Sequence, residues 1–137
     1  MFKTIVVPVD LAHLERLRRA LDVAADLARH YTARLYIVAV TSAAPGAVAS
    51  TPEAFDAKLH ALADEFGASH GIDTGAETVI SHDPAVELEE KLGVAAHALG
   101  ADLVVMSSHK PGLLEYVFAS HAGYFAAHTD LSVFIVR

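Results

Sequence analysis

The sequence predicts an α/β protein with a five-stranded parallel sheet and helices on both faces. Short apolar, β-branched runs alternate along the chain with amphipathic segments of helical spacing. Because strands separated by helices join as βαβ units, the sheet is expected to be parallel and covered on both sides. The 137 residues contain no internal repeat, linker or low-complexity tract, which favours a single domain over residues 1–137.

Two strands with a helix between them are predicted at the start of the chain. Residues 4–9 alternate, are rich in β-branched side chains and stop at Asp10, and residues 34–40, "RLYIVAV", have the same character. Between the two runs, apolar residues recur at helical spacing with charged residues among them: Leu14, Leu17, Leu21, Ala24, Ala25 and Ala28. A loop of small residues, "TSAAPGAVAST", follows the second strand.

A second helix is predicted from about Pro52 to Ser69. Ser50 and Glu53 have the spacing of a capping box, and Pro52 falls in the first turn. Gly71 marks the predicted end of this helix.

The second half of the chain continues the alternation. A third strand is predicted at 77–81, and Asp83 followed by Pro84 indicates the start of a third helix. The predicted buried face of that helix, which Gly100 ends, comprises Leu88, Leu92, Ala95 and Leu99. The remaining predicted elements are a fourth strand at 103–106, a last helix at about 120–128 and a fifth strand, "SVFIVR".

The residues at the strand ends are candidates for a binding site. In open parallel sheets, ligands bind beyond the carboxyl ends of the strands, where the strand order reverses. The residues alone leave open which strands are neighbours. The candidates at these ends are Asp10, Val40, Thr41, His82, Asp83 and residues 107–110.

The composition disfavours several classes of protein. The net charge is −7 and acidic residues are spread along the chain, whereas nucleic acid requires a basic face. No apolar run approaches the roughly 20 residues of a membrane span, and no secretion signal is visible. The chain has no cysteine, hence no thiol chemistry and no evidence of an oxidising compartment, so a cytoplasmic location is expected.

Metal and hydrolase chemistry have weak support. His82, His109 and His121 fall in loops that could converge, but they lack an i, i+4 pair and a carboxylate at ligand spacing. Ser107 and Ser108 lie beside His109 without the Gly-x-Ser-x-Gly elbow of hydrolases. A Walker A motif and a dinucleotide fingerprint are also missing. Since no activated nucleophile or acid and base pair can be named, an enzyme is not predicted.

Three stretches in order carry a resemblance to a known family: "IVVPVD", "HDPAVEL", and "DLVVMSSHKPG" running into "ASHAGYFAAHTDLSVFIVR". Together they resemble the universal stress protein (UspA) family along the whole chain. The resemblance implies a Rossmann-like fold of the adenine nucleotide alpha hydrolase type. It implies that strand one lies beside strand four, with ATP or AMP in the crevice between their ends. It also implies a homodimer formed through the final strand.

The glycine motif of the nucleotide-binding members is altered here. The family pattern is a glycine, two residues, a second glycine, nine residues, then a glycine followed by serine or threonine. Ser107 matches the first glycine, and the second is missing between His109 and Lys110. Ala119 matches the third glycine, and Ser120 retains the serine. The "SHKPG" form resembles a subgroup whose shortened loop reads His-Arg-Pro.

The predicted nucleotide site combines strand ends with this loop. Phosphate needs converging backbone N–H groups, and Ser107 and Ala119 each add a β-carbon where glycine leaves room. Asp10 is expected either to meet a ribose hydroxyl or a hydrated Mg²⁺, or only to cap the following helix. The resemblance alone places Val40 near adenine. The predicted set is Pro8, Val9, Asp10, Val40, Ser107, Ser108, His109, Lys110, Ala119, Ser120, His121 and Ala122.

Several of these residues also have a purely structural interpretation. Ser107 could simply end its strand, and Ser120 could cap the last helix, with the N–H groups of His121 and Ala122 at its positive end. Lys110 is either a phosphate partner or a solvated loop lysine. We expect a stress-response regulator that binds an adenine nucleotide. The alternative is a dimeric interaction protein of the same fold that has lost the nucleotide.

The final strand is the predicted dimer interface. Val133, Phe134, Ile135 and Val136 form an apolar run, which is prone to unwanted pairing when it lies at an exposed sheet edge. A partner strand would cover this edge, and the alternative is a loop of the same chain.

Overall fold

The computed structural model describes residues 1–108 and 121–137. They form one sheet of five strands in which every neighbouring pair is parallel. The strands are β1 (Thr4–Pro8), β2 (Arg34–Thr41), β3 (Thr74–Ile80), β4 (Leu103–Ser107) and β5 (Ser132–Val136). Their order across the sheet is β3-β2-β1-β4-β5. The predicted α/β class and parallel sheet are confirmed.

Helices cover both faces of the sheet. Within the described ranges they are α1 (Arg18–Tyr31), α2 (Pro52–His70), α3 (Pro84–Ala98), α4 (His121–His128) and a 3-10 helix at Leu11–Arg16. None of the helices in these ranges combines the length and the apolar character that crossing a bilayer requires.

The apolar interior is divided by the sheet. Successive side chains of a strand point to opposite faces, so Ile5 and Val7 pack on one side of β1 and Val6 on the other. The first core lies between the sheet and helices α1 and α2, and the second core lies between the sheet and helices α3 and α4. All three of these β1 side chains are almost wholly buried.

The two central strands are also joined at their beginnings. The Asp102 carboxylate, just before β4, accepts hydrogen bonds from the backbone N–H groups of Lys3 at 2.9 Å and Thr4 at 3.2 Å. This contact fixes the start of β1 against the start of β4, although the two segments are far apart in sequence.

The segment after β1 differs from its prediction. Leu14 lies in the 3-10 helix and Leu17 between that helix and α1, and the backbone of His13 is non-helical (φ −137°, ψ 43°). Because apolar residues three positions apart fit either helix type, the pattern did not distinguish one long helix from a short turn followed by α1.

The predicted start of α2 at Pro52 is confirmed, but its N-cap is one residue later than predicted. Thr51, and not Ser50, is the N-cap, and its hydroxyl accepts a hydrogen bond from the N–H of Ala54 at 3.1 Å. The predicted end is confirmed, since Gly71 takes up the left-handed conformation (φ 65°) that closes the helix.

The third strand spans Thr74–Ile80, so the predicted start at 77 was too late. Gly75 weakens the local strand signal, but it has a packing reason. A β-carbon on Gly75 would lie 2.6 Å from Cε1 of Tyr36 on the neighbouring strand. The ring of Tyr36 therefore requires a glycine at position 75. The same glycine weakened the strand pattern, so the start of β3 was predicted too late.

Candidate functional site

The order of the strands reverses at β1. The chain moves outward from β1 through β2 to β3, then returns to the opposite side of β1 as β4 and continues to β5. Ile5 pairs with Leu103 and Val6 with Val104, so strands one and four are neighbours, as the resemblance implied. A reversal of this kind opens a crevice beyond the carboxyl ends of the two central strands.

A cavity of about 610 Å³ lies at this reversal. Its volume falls within the range of roughly 300–1,000 Å³ that is typical of small-molecule sites. Among the predicted residues, those that line it are Pro8, Val9, Asp10, Val40, Ser107 and His121.

The other predicted residues are placed elsewhere or cannot be placed. Ser108 is buried, and its backbone N–H donates to the carbonyl of Val136 at 2.7 Å. The side chain of Ala122 is buried in the second core. The predictions for His109, Lys110, Ala119 and Ser120 lie outside the described residues.

Asp10 caps the 3-10 helix at the edge of the cavity. One carboxylate oxygen accepts from the N–H of Ala12 at 3.0 Å, and the other lies 2.9 Å from Nδ1 of His13. The capping role is therefore confirmed. Because the side chain is 62% exposed and a carboxylate has about four lone-pair sites, the group can accept further hydrogen bonds.

Val40 lies where β2 extends past its partner. The N–H of Arg34 donates to Lys3 on the β1 side, and backbone groups of alternate residues face the same side of a strand. Val40 follows this alternation, so its N–H and C=O also face the β1 side. The pairing ends at Pro8 with Val38, followed by a bond from the N–H of Val9 to Val38 at 2.8 Å. The backbone of Val40 thus lies beyond the paired part of β1.

His121 contributes to the opposite wall, where it begins α4. Its Nδ1 contacts Oε1 of Glu89 on α3. The Glu89 side chain is 17% exposed and the His121 side chain 49%. This contact joins two helices of the second core beside the cavity.

The sequence prediction missed much of the outer wall of the cavity. The segment between β2 and α2 lines it with small residues, among them Ala44, Gly46 and Ala47. This segment is held by the Lys58 ammonium, which donates to the carbonyl of Val48, and by a 3.0 Å bond from Gly46 N–H to Ala49. The run "AAPGAVAS" was the available signal, because small side chains leave room for close approach.

Two basic side chains and part of α3 were also missed. His13 and Arg16 on the 3-10 helix line the cavity, as do Pro84 and Ala85 at the start of α3. Leu88, predicted for the buried face of α3, is half-buried and lines the cavity as well. These side chains follow the ends of β1 and β3 in sequence, and they reach the cavity because the 3-10 helix and the first turns of α3 pack beside it.

The histidines do not form a metal cluster in the described ranges. No group of three His, Asp or Glu side chains there is close enough to hold a metal ion. His82 is exposed, and it is not among the described residues that line the cavity with His121.

Comparison with known proteins agrees with this architecture. Residues 1–137 match the model of the Universal stress protein family. Universal stress protein G of Escherichia coli O157:H7 is 26% identical over 148 residues, which cover 100% of both chains. A solved universal stress protein in complex with cAMP has a TM-score of 0.75 and 21% identity, covering 99% of this chain and 97% of its own. The universal stress protein of Archaeoglobus fulgidus in complex with dAMP has a TM-score of 0.70 and 20% identity over 98% of each chain. The solved structures support the fold, and the family match spans every residue, so this chain belongs to the universal stress protein family.

Proposed function

We propose that this protein, a single domain over residues 1–137, is a cytoplasmic stress-response regulator that binds an adenine nucleotide, ATP or AMP, without turning it over. The cavity at the reversal between β1 and β4 carries the proposal. Similar folds that were solved with cAMP and dAMP support an adenine nucleotide as the ligand.

The β2 side of the cavity suits the base. Adenine offers the N6 amino donor beside a ring-nitrogen acceptor. The N–H and C=O of Val40 face the β1 side beyond the last paired residue of β1, and Val40 lines the cavity. One residue of extended backbone therefore presents a donor and an acceptor that match the edge of the base.

The β4 side suits the ribose and phosphate. β2 and β4 flank β1, and at about 4.8 Å per strand spacing they are roughly 10 Å apart. Asp10 lies at the end of β1, between them, with spare acceptor capacity for a ribose hydroxyl. Ser107 and His121 then offer a hydroxyl and a ring nitrogen to phosphate. Mg²⁺ accompanying ATP would be held by the phosphates, with Asp10 reaching it through water.

A nucleotide-binding experiment tests this proposal. The purified protein is denatured, and any released small molecule is identified by mass spectrometry. Calorimetric titrations with AMP, ATP and cAMP then compare wild type with Asp10→Asn and with Asp64→Asn, a matched change on an exposed residue of α2. Asp10→Asn is expected to weaken binding about tenfold, because a charge-assisted hydrogen bond contributes about 1.5–3 kcal/mol. Asp64→Asn is expected to bind like wild type.

Two outcomes would replace the proposal. If no nucleotide is released and none of the three binds, the dimeric interaction protein is the better interpretation, with side chains at the loop's former glycine positions as its cause. If ATP is hydrolysed and Asp10→Ala abolishes the turnover, the protein is a hydrolase.

We also propose that β5 pairs with the β5 strand of a second copy. β5 is the edge strand of the sheet, and Phe134 on it is 45% exposed. Val136 is already buried in the first core, while Val133 and Ile135 pack against the second core. The carbonyl of Val136 faces β4, where it accepts from Ser108, so by alternation the backbone groups of Val133 and Ile135 face the free edge.

A proline at the free edge tests the dimer. Ile135→Pro removes an N–H that faces away from β4, so the chain is expected to fold but to be monomeric by light scattering. Ile135→Ala removes the side chain and keeps the N–H, and it is expected to stay dimeric. A wild-type protein that is monomeric at micromolar concentration, or an Ile135→Pro dimer, would contradict this interface.

A further inference from the structure

We infer that Glu89 is a positioning residue for nucleotide binding: it holds the imidazole of His121 by Nδ1, so that Nε2 is left to bond a phosphate oxygen of the ligand. The inference rests on the proposed function and names a partner for the phosphate at the same site. Glu89 is 32 residues from His121 in sequence.

Glu89 affects the cavity only through its contact with His121. His121 lines the cavity, whereas Glu89 contacts the ring and is not among the described lining residues. The Glu89 side chain is 17% exposed, so packing on α3 limits its positions. The ring of His121 is half-exposed, so the carboxylate, rather than burial, orients it.

The chemistry of the ring determines what this contact does. An ionised carboxylate only accepts hydrogen bonds, so Nδ1 must carry its proton toward Glu89. Nε2 has no partner among residues 1–108 and 121–137. A phosphate oxygen accepts hydrogen bonds, so it pairs with Nε2 when that nitrogen is also protonated. With Glu89 on one nitrogen and phosphate on the other, the charged ring is stabilised from both sides.

In the described part of the chain, the other charged groups near the ring lie on α3, where Lys91 contacts Glu87, or line the cavity. Asp10 and His13 line the same cavity and contact each other, and Arg16 lines it from the 3-10 helix. β5, which packs on α4, carries no titratable side chain. Glu89 is thus the carboxylate in direct contact with His121.

Glu90 provides a matched control. It is the next residue of α3 and carries the same charge, but it is exposed, whereas Glu89 is partly buried against His121. A change at Glu90 alters the net charge of the helix equally without touching the His121 contact.

The test measures AMP affinity and the protonation of the His121 ring nitrogens. For the affinity, calorimetry compares wild type with five variants: Glu89→Ala, Glu89→Gln, His121→Ala, the Glu89→Ala/His121→Ala double variant and Glu90→Ala. Glu89→Ala and His121→Ala are each expected to weaken AMP binding about tenfold. The double variant is expected to be no weaker than His121→Ala, since Glu89 acts through the ring. Glu89→Gln keeps an acceptor and should recover most of the affinity, and Glu90→Ala should stay within about twofold of wild type.

A spectroscopic measurement separates positioning from a general structural effect. Nitrogen NMR of the His121 ring is expected to show a protonated Nδ1 in the ligand-free wild type and in Glu89→Gln. In Glu89→Ala, this preference is expected to be lost. Thermal melting of each variant reports whether it is folded.

The outcomes distinguish this inference from the proposed function. If wild type binds AMP and Glu89→Ala binds within about twofold of it, or the two single effects add in the double variant, the positioning role is wrong and the proposed function stands. If Glu89→Ala does not fold, an unchanged affinity in His121→Ala overturns the inference instead. If wild type binds none of AMP, ATP and cAMP, both proposals fail.

Discussion

The two faces of the sheet are packed in different ways. On the first core, α1 buries four alanines and one leucine, and α2 buries Leu59, Ala63 and Gly67. A β-carbon on Gly67 would lie 2.3 Å from Oγ1 of Thr74, so α2 lies very close to β3. On the second core, α3 buries one leucine and two alanines and α4 buries Ala122 and Phe125, but a β-carbon on Gly93 of α3 would lie 3.8 Å from Phe125, so this face is less tightly packed.

The two faces also differ in how much apolar surface they leave exposed. Near the second core, three large apolar side chains stay more than half exposed: Val86, Val94 and Tyr124. The helices of that face also supply cavity residues, among them Pro84, Leu88 and His121. The first face supplies cavity residues as well, among them Leu17 and Phe55, so the cavity lies where the two faces meet at the strand ends.

The largest expected effects come from truncating one fully buried leucine in each core. Leu59 and Leu92 are both 0% exposed, one in each core. Leu59→Ala is expected to lower the free energy of unfolding by about 4 kcal/mol and Leu92→Ala by about 2–3 kcal/mol, because α3 can settle into the space more easily. Urea denaturation at one fixed protein concentration measures both. A cost for Leu92→Ala that exceeds the cost for Leu59→Ala would contradict the proposed difference in packing.

A pair of helix glycines gives an effect of intermediate size and opposite sign. Gly67→Ala is expected to destabilise by about 2 kcal/mol, since the new methyl group displaces Thr74, whose hydroxyl donates to the Ala63 carbonyl at 2.8 Å. At Gly93 on α3, the one atom of residues 1–108 and 121–137 that a β-carbon would meet is Cε2 of Phe125, at an ordinary 3.8 Å. Gly93→Ala is therefore expected to stabilise by about 0.5–1 kcal/mol through helix propensity.

Thermal unfolding of the two variants decides the matter. Opposite shifts of the midpoint support the comparison of the two faces. Shifts of the same sign in both variants would contradict the proposed difference in packing.

The smallest effects are expected at the helix caps. The hydroxyl of Thr51 caps α2, whereas the side chain of Asp83 makes no capping bond to α3. Thr51→Ala should cost about 1 kcal/mol, and Asp83→Ala only a few tenths of a kcal/mol from the helix dipole. Chemical denaturation resolves this difference, and an equal cost at both positions would argue against it.

The fold was predictable because its signals are local. The β-branched runs of β1 and β2 and the breaker at Gly71 each predicted an element from a few neighbouring residues. The errors occurred where tertiary packing decides, as at Gly75, which Tyr36 requires. The split at Leu17 between the 3-10 helix and α1 was missed because apolar residues three positions apart fit both helix types.

The candidate site was predictable in part for the same reason. Asp10, Val40 and Ser107 stand at strand ends, and the carboxyl ends of parallel strands share one edge of the sheet. Arg16 lines the cavity and Glu89 contacts its lining residue His121 because of the way the helices pack, and no local pattern marks either residue. The resemblance to a family predicted that β1 and β4 are neighbours, which the residues alone had left open.

The joining of Asp102 to Lys3 and Thr4 has a consequence for synthesis of the protein. β1 leaves the ribosome first and can pair with β2 early, but its other edge stays open until β4 has been made. The cavity between β1 and β4 therefore cannot form until β4 has been made. Products of translation interrupted before β4 would carry a central strand with one unpaired edge, and such edges are what chaperones and proteases encounter in incomplete chains.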